Sequence, residues 1–204
     1  FKFTFVPQTL IIEVTEIKFI LRRPTMKILV INGSPHPHGT TSLLRDAFEE
    51  GAKSKGHSIT TFHAGQETLH SCLGCDHCRT GDEGCVYKDG METLNPLLLE
   101  ADCVVFVTPL YYFGMSSQLK MVIDRFYANN VKLREQNKKA VLLAACGDAD
   151  EWTLDALDHH YHALCHYLRW ENAGEINAIG MYTPDDLKGS DYIEKARALG
   201  SSLA

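Results

Sequence analysis

No stretch of this 204-residue chain approaches the roughly 20 consecutive apolar residues that a bilayer-spanning helix needs. Basic residues are in deficit. The 20 Lys and Arg stand against 26 Asp and Glu, a net charge of −6 that offers no footprint for a nucleic-acid backbone. There is no internal repeat and no low-complexity tract, which sets aside stacked-repeat and disordered arrays. The dinucleotide fingerprint GxGxxG is missing, and so is the GK[ST] ending of nucleotide triphosphatase loops. Cysteine is sparse outside one run: of seven, an odd number, four fall between positions 72 and 85. That crowding does not suit a secreted disulfide framework. It points to metal or redox use inside a cell, hence to a cytoplasmic protein.

What is present suits one domain with a sizeable core. Residues 1–25 read FKFTFVPQTLIIEVTEIKFILRRPT. Glu13, Glu16 and Lys18 interrupt any signal-type apolar core, and Arg22-Arg23 lacks the context of a twin-arginine signal. Met26 opens a strand-like run. Residues 1–25 are therefore expected to be an extension outside the fold, with an added edge strand at Leu10–Val14 as the alternative. Residues 26–204 form the expected domain.

From Met26 strand and helix patterns alternate. KILVIN (27–32) is a short apolar run of the kind a buried parallel strand shows. Leu43, Leu44, Ala47, Phe48 and Ala52 give a helical stripe. SITTFH (58–63) is β-branched. Asp89 with Glu92 resembles a capping pair opening a helix to about Glu100. Pro96 conflicts with it: either it kinks that helix, or Asn95 caps a later one with Pro96 in its first turn. CVVFVTPL (103–110) reads as the central strand, and Ser116 or Ser117 caps a helix through Phe126. Lys139–Cys146 is a fourth strand. Trp152, Leu157, Tyr161, Leu164, Cys165 and Leu168 stripe a long helix. Ala173–Ile179 is the last strand and Asp191–Leu203 the last helix. The alternation predicts a doubly wound, five-stranded parallel α/β sheet with helices on both faces.

In such sheets ligands sit beyond the carboxyl ends of the strands. Three loops leave those ends: 33–41, 108–115 and 146–151. The first, within GSPHPHGTTS (33–42), carries Ser34, Thr40, Thr41 and Ser42 at a helix start. Amide and hydroxyl donors without Lys or Arg suit a phosphomonoester; the alternative is a turn capped by Thr40 or Thr41. The second brings Pro109, Tyr111, Tyr112, Phe113 and Gly114. Its aromatic faces suit a flat ring, with Gly114 letting the backbone come close; the alternative is a cover for the sheet end or a subunit contact. HHYHALCH (159–166) sets His159, His162 and His166 within reach of one another, and with Asp155 and Asp158 reads as a polar helix face rather than a metal site.

Four cysteines follow the spacing C-x2-C-x2-C-x6-C: Cys72, Cys75, Cys78 and Cys85. Four thiolates can hold a [4Fe–4S] cluster, and ferredoxin runs begin with the same step. Zinc sites more often use two separated pairs. A reactive disulfide such as Cys75–Cys78, or an empty loop, is the other reading. Gly74, Gly81 and Gly84 permit the tight backbone that wrapping a cluster requires.

The stretches MKILVINGSP…GTTS, CLGCDHC…GCVYKDGM and EADCVVFVTPLYYFGMSSQLKMVIDR resemble the flavodoxin-like, NAD(P)H-dependent FMN reductases, and in particular their iron–sulfur flavoprotein branch. The resemblance covers nearly all of the chain after residue 25. It implies a flavodoxin-like fold and non-covalent FMN. Ser34, His36, Gly39, Thr40, Thr41 and Ser42 would hold the phosphate; family members often carry Asn at the position of Thr40. Pro109, Leu110, Tyr111, Tyr112, Phe113 and Gly114 would flank the ring, with Cys146, Gly147 and Asp148 at its other side. Homodimers or homotetramers that complete the flavin site at the aromatic loop are also implied. The expected activity is hydride transfer from NAD(P)H to FMN and onward electron transfer to a quinone, an azo or nitro compound, free flavin or an iron–sulfur partner, with no side chain required as acid or base. The alternative is an electron carrier with no small-molecule substrate of its own.

Overall fold

The computed structural model describes residues 25–80 and 84–204; the extension ahead of them and its alternative strand at Leu10–Val14 lie outside the described residues. Five strands, β1 (Lys27–Asn32), β2 (Ser58–His63), β3 (Cys103–Pro109), β4 (Lys139–Ala145) and β5 (Glu171–Ala178), form one sheet in the order β2-β1-β3-β4-β5. Every neighbouring pair is parallel. The helices are α1 (Thr40–Ser54), α2 (His77–Thr80), α3 (Met91–Glu100), α4 (Ser117–Asp124), α5 (Asn130–Glu135), α6 (Asp155–Leu168), α7 (Pro184–Lys188) and α8 (Tyr192–Ser202). The chain reverses its direction of travel across the sheet between β1 and β3, the switch point where this architecture opens a crevice.

Alternate residues of each strand feed two cores. Leu29, Ile31, Val104, Phe106 and Leu142 pack with Leu94, Leu119 and Tyr161 on one face. Ile28, Val30, Val105, Val141 and Leu143 pack with Leu44, Phe48 and Ala196 on the other. This two-sided burial is why the central strands are unbroken apolar runs. On the second face α1 and α8 cross in backbone contact. A Cβ at Gly51 would stand 2.0 Å from the Arg197 carbonyl oxygen, and one at Gly200 2.1 Å from that of Phe48. No side chain fits either position.

Pro96 lies inside a continuous α3, so the second reading of that segment is corrected. Asn95 caps nothing; its side chain accepts from Asn129 at 3.0 Å. Asp89 does serve the helix start, accepting from the Met91 amide at 3.1 Å. At the other end the buried Lys138 ammonium donates to the carbonyls of Leu99 and Ala101, a cation placed where the helix dipole favours one. Trp152 is a further correction. It sits in a short 3-10 turn (Glu151–Leu154) ahead of α6 rather than on its buried stripe, and is 56 % exposed.

His57 joins Met26 to Leu203. Its Nδ1 accepts from the Met26 amide at 3.0 Å, which leaves Nε2 to carry the proton and donate to the Leu203 carbonyl at 3.3 Å. The last strand, β5, carries a register shift opposite Ala140/Val141, and such a bulge discourages pairing at an exposed edge. Among the described residues, no helix is long and apolar enough to cross a membrane.

Candidate functional site

A cleft of about 400 Å³ lies beyond the carboxyl ends of β1, β3 and β4, within the range typical of small-molecule sites. The β1–α1 loop supplies Ser34, His36, Gly39, Thr40 and Thr41. The β3–α4 loop supplies Pro109, Leu110 and Tyr111, and the β4–α6 loop Cys146 and Gly147. A fourth segment, after β5, adds Met181, Tyr182 and Pro184. Nothing in the polar run GMYTPDD marks it as part of a site. Its involvement shows at Gly147, where a Cβ would stand 2.7 Å from the Tyr182 ring.

The first loop is held by its own polar groups. Buried Asn32 accepts from the Ser34 amide at 3.1 Å. Ser34 Oγ accepts from the His36 amide and donates to the His36 carbonyl, both at 3.2 Å. Ser42 Oγ donates to that same carbonyl at 3.4 Å, and Ser42 does not line the cleft. Residue Gly39 is the N-cap of α1, and no side chain caps the helix. This corrects the capped-turn alternative. The amides of Thr40 and Thr41, first-turn donors with no partner within a helix, belong to residues that line the cleft and meet no capping hydroxyl, and the helix dipole favours an anion there.

Buried Ser116 connects the first loop to the second. Its Oγ donates to the Gly33 carbonyl at 2.7 Å and accepts from the Leu119 amide at 3.2 Å, while its own amide donates to Thr108 Oγ1 at 2.9 Å. Ser116→Ala leaves a buried carbonyl and a helix-start N–H unmatched. It should destabilise the fold by about 1–3 kcal/mol. Urea unfolding measures this; an unchanged midpoint would remove Ser116 as the connector.

The aromatic loop differs from the expectation for Gly114. Tyr111 and Gly114 pair as a tiny hairpin, with N–H···O bonds of 3.1 Å in both directions. The left-handed positions of its turn belong to Tyr112 (φ 46) and Phe113 (φ 63), not to Gly114. Glycine and asparagine normally take such positions, and a bulky residue there is strained. Tyr112 is 101 % exposed, and Phe113 stacks on Trp152 with ring centroids 5.3 Å apart. Tyr112, Phe113 and Asp148 border a neighbouring recess rather than the cleft, and Gly114 borders neither. Cys146 borders both; its Sγ donates to the Asp148 carbonyl at 3.3 Å, and burial pushes its thiol up. It is a protonated wall residue.

The four clustered cysteines are free thiols on the surface segment between β2 and α3, Cys72 and Cys75 exposed, Cys78 and Cys85 half-buried. Gly74 and Gly84 take left-handed φ of 62 and 73. Burial pushes the Cys78 thiol up, and the nearby Cys85, Cys72 and Cys75 add to the effect. The donor set is what an iron–sulfur cluster takes. The described residues hold it as an open loop: no group of three or more His, Cys, Asp or Glu among them is arranged to grip a metal ion. Elsewhere, His162 pairs with Glu175 at 2.5 Å, and Asn177 donates to Asp158 at 2.7 Å.

The cysteine segment is pinned at both ends by a pair that sequence reasoning missed. Buried Arg125 grips Asp89 through two bonds, 2.9 and 3.2 Å, and donates to the His70 carbonyl at 2.9 Å. Its guanidinium lies 5.5 Å from the Tyr87 ring centroid and reaches Cys85.

This geometry has relatives. The family model for NADPH-dependent FMN reductases matches residues 26–182. An iron–sulfur flavoprotein of Methanocaldococcus jannaschii is 30% identical over 192 residues, covering 88% of this chain and 96% of the relative. One from Archaeoglobus fulgidus is 27% identical over 181 residues, 88% and 79% of the two chains. Among solved structures, an NAD(P)H:quinone oxidoreductase from Methanothermobacter marburgensis superposes with a TM-score of 0.73 at 18% identity, over 88% of this chain and 96% of that one; it shares the fold. With a doubly wound sheet, an uncapped helix start over a cleft and four clustered thiols matched at near full length, the chain belongs to the NADPH-dependent FMN reductase family, in its iron–sulfur flavoprotein branch.

Proposed function

We propose that this protein is an oxidoreductase that binds FMN in the cleft, takes hydride from NAD(P)H and passes electrons to a quinone, an azo or nitro compound or another acceptor. One observation carries the reading: the uncapped first turn of α1 opens onto the same cleft as the loops of β3 and β4. The residues fit the cofactor. Amides at Thr40 and Thr41 and the hydroxyls beside them bind a phosphate dianion without a cation. Tyr111 and Tyr182 offer apolar faces. Bound FMN supplies the chemistry, accepting a hydride and releasing electrons singly or in pairs. The chain's share is to hold the phosphate, orient the ring and keep water from it; no side chain is assigned as acid or base.

Two finer assignments accompany this. Cys72, Cys75, Cys78 and Cys85 hold a [4Fe–4S] cluster, a reading supported by the compact donor set and by the relatives' name. The exposed aromatics Tyr112, Phe113, Trp152 and Tyr182 are the surface on which a second copy of the chain docks. The exposed cysteine segment also supports the electron-carrier reading; purified protein that holds FMN yet fails to oxidise NAD(P)H with any two-electron acceptor would select it.

The phosphate placement has its own test. The double variant Ser34→Ala/Thr41→Ala removes two hydroxyls, each worth about 1.5–3 kcal/mol toward a charged acceptor. Apoprotein titrated with FMN should then bind on the order of 100-fold more weakly or worse. Riboflavin, which lacks the phosphate, should bind equally to both proteins. Full FMN affinity in the double variant would put the phosphate elsewhere.

A further inference from the structure

Among the described residues, three buried side-chain polar atoms have no hydrogen-bond partner: Arg45 Nη1, Thr153 Oγ1 and Asn177 Oδ1. Arg45 spends its other nitrogens on Asp46, and the Asn177 amide nitrogen donates to Asp158. Thr153 has one side-chain polar atom, and that atom is the unmatched one. The folded chain carries a desolvated hydroxyl with nothing to give its proton to, a state that costs stability until an acceptor arrives.

Thr153 is also a wall of the site. The residue is 2 % exposed and borders a recess of about 290 Å³ with Leu110, Tyr112, Phe113, Cys146, Gly147 and Asp148. Leu110, Cys146 and Gly147 are also walls of the cleft, so the two compartments adjoin. The cleft reaches the start of α1; the recess lies between the β3–α4 and β4–α6 loops. The competing donor beside it is already committed, since Cys146 Sγ donates to the Asp148 carbonyl.

We infer that Thr153 donates a hydrogen bond to the carbonyl-bearing edge of the flavin ring, which the recess receives while the cleft holds the phosphate end. The inference rests on the FMN reading above. It makes Thr153 a positioning residue, supplied by a 3-10 turn that sequence patterning gave no reason to inspect. The pyrimidine edge of a flavin presents two carbonyl oxygens, and a donor there favours the electron-rich reduced ring, so the residue also bears on the cofactor's potential.

The test uses full-length apoprotein titrated with FMN and, separately, with riboflavin, together with the midpoint potential of the bound flavin. Thr153→Val keeps the shape and removes the hydroxyl. It should weaken both flavins alike, by about 3- to 10-fold, and lower the midpoint potential. Thr153→Ser should restore both quantities. Unchanged affinity for both flavins overturns the assignment, as does a loss confined to FMN, which would move the hydroxyl to the phosphate end. A variant that only melts earlier, with wild-type affinity and potential, also overturns it. If the valine variant does not fold, Thr153→Ala compared with Thr153→Ser decides on the same readouts. Wild-type protein that binds neither flavin removes the FMN reading itself, an outcome separate from the others.

Discussion

Asp89→Ala should destabilise the fold by about 3–5 kcal/mol in urea unfolding, because it strands the buried Arg125 guanidinium without its counter-charge. The Asp89 side chain is 1% exposed and that of Arg125 3%, so solvent cannot replace the lost partner. The pair also sets an acid limit. Burial alone would raise the Asp89 carboxyl, but hydrogen bonds from Arg125, the Met91 amide and His70 outweigh it and hold the group at about 2. In the unfolded chain it ionises near 3.9. The pair's contribution is therefore complete above about pH 4 and is lost as pH falls through about 2. That amounts to ~2.5 kcal/mol over the window. Wild-type stability should fall across it, and Asp89→Ala should flatten that part of the curve. An alanine variant with the wild-type urea midpoint would refute the pair as an anchor of the cysteine segment.

Protein prepared without oxygen should contain about four irons and four labile sulfides per chain, the content of a [4Fe–4S] site, and Cys72→Ser, Cys75→Ser, Cys78→Ser or Cys85→Ser should each remove most of both. FMN should stay, because the β1–α1 loop contributes none of these residues. NAD(P)H oxidation with a two-electron acceptor should survive, and reduction of a one-electron acceptor should fall. Proteolysis within the segment should accelerate when the metal is stripped, since the open loop would lose the ligand that orders it. Zinc in place of iron, or no metal after reconstitution, would leave a plain FMN reductase with a thiol loop.

The central strands could be read from sequence because both of their faces are buried, and β2 because its run is β-branched. KILVIN and CVVFVTPL need no alternation, and the observed limits of β1, β2 and β3 fall within a residue of those read. Edges were harder. The strand read as Ala173–Ile179 begins two residues earlier, where polar Glu171 and Asn172 pair at the rim and a register shift follows. Trp152 does not share the α6 stripe: standing five residues before Leu157 and nine before Tyr161, it falls away from their face of a 3.6-residue helix, and it belongs to the 3-10 turn ahead of α6. At the site, the three predicted loops do meet. What stayed hidden are groups whose partners are far along the chain. Ser116 was legible as a helix cap, but its bond to Gly33, 83 positions away, leaves no local trace. Arg125 falls within the helix read through Phe126, and nothing near it in sequence points to Asp89, 36 positions away. Tyr182 and Thr153 sit in polar or short turns that no pattern distinguishes from ordinary connections.

The histidine that joins Met26 to Leu203 has a consequence for how this domain can be handled and how it can be built into larger proteins. Met26 and Leu203 stand within one imidazole of each other, at the amino-terminal rim of β1, while the cleft and the recess occupy the opposite, carboxyl-terminal rim. Anything attached just after Leu203, whether a tag, a tether to a surface or another domain, meets the molecule at its rear. In a chain started at Met26, a linker of a few residues from Leu203 would close the sheet and its helices into a ring, and new ends could then be opened in a surface loop without cutting the cofactor site from the sheet that shapes it.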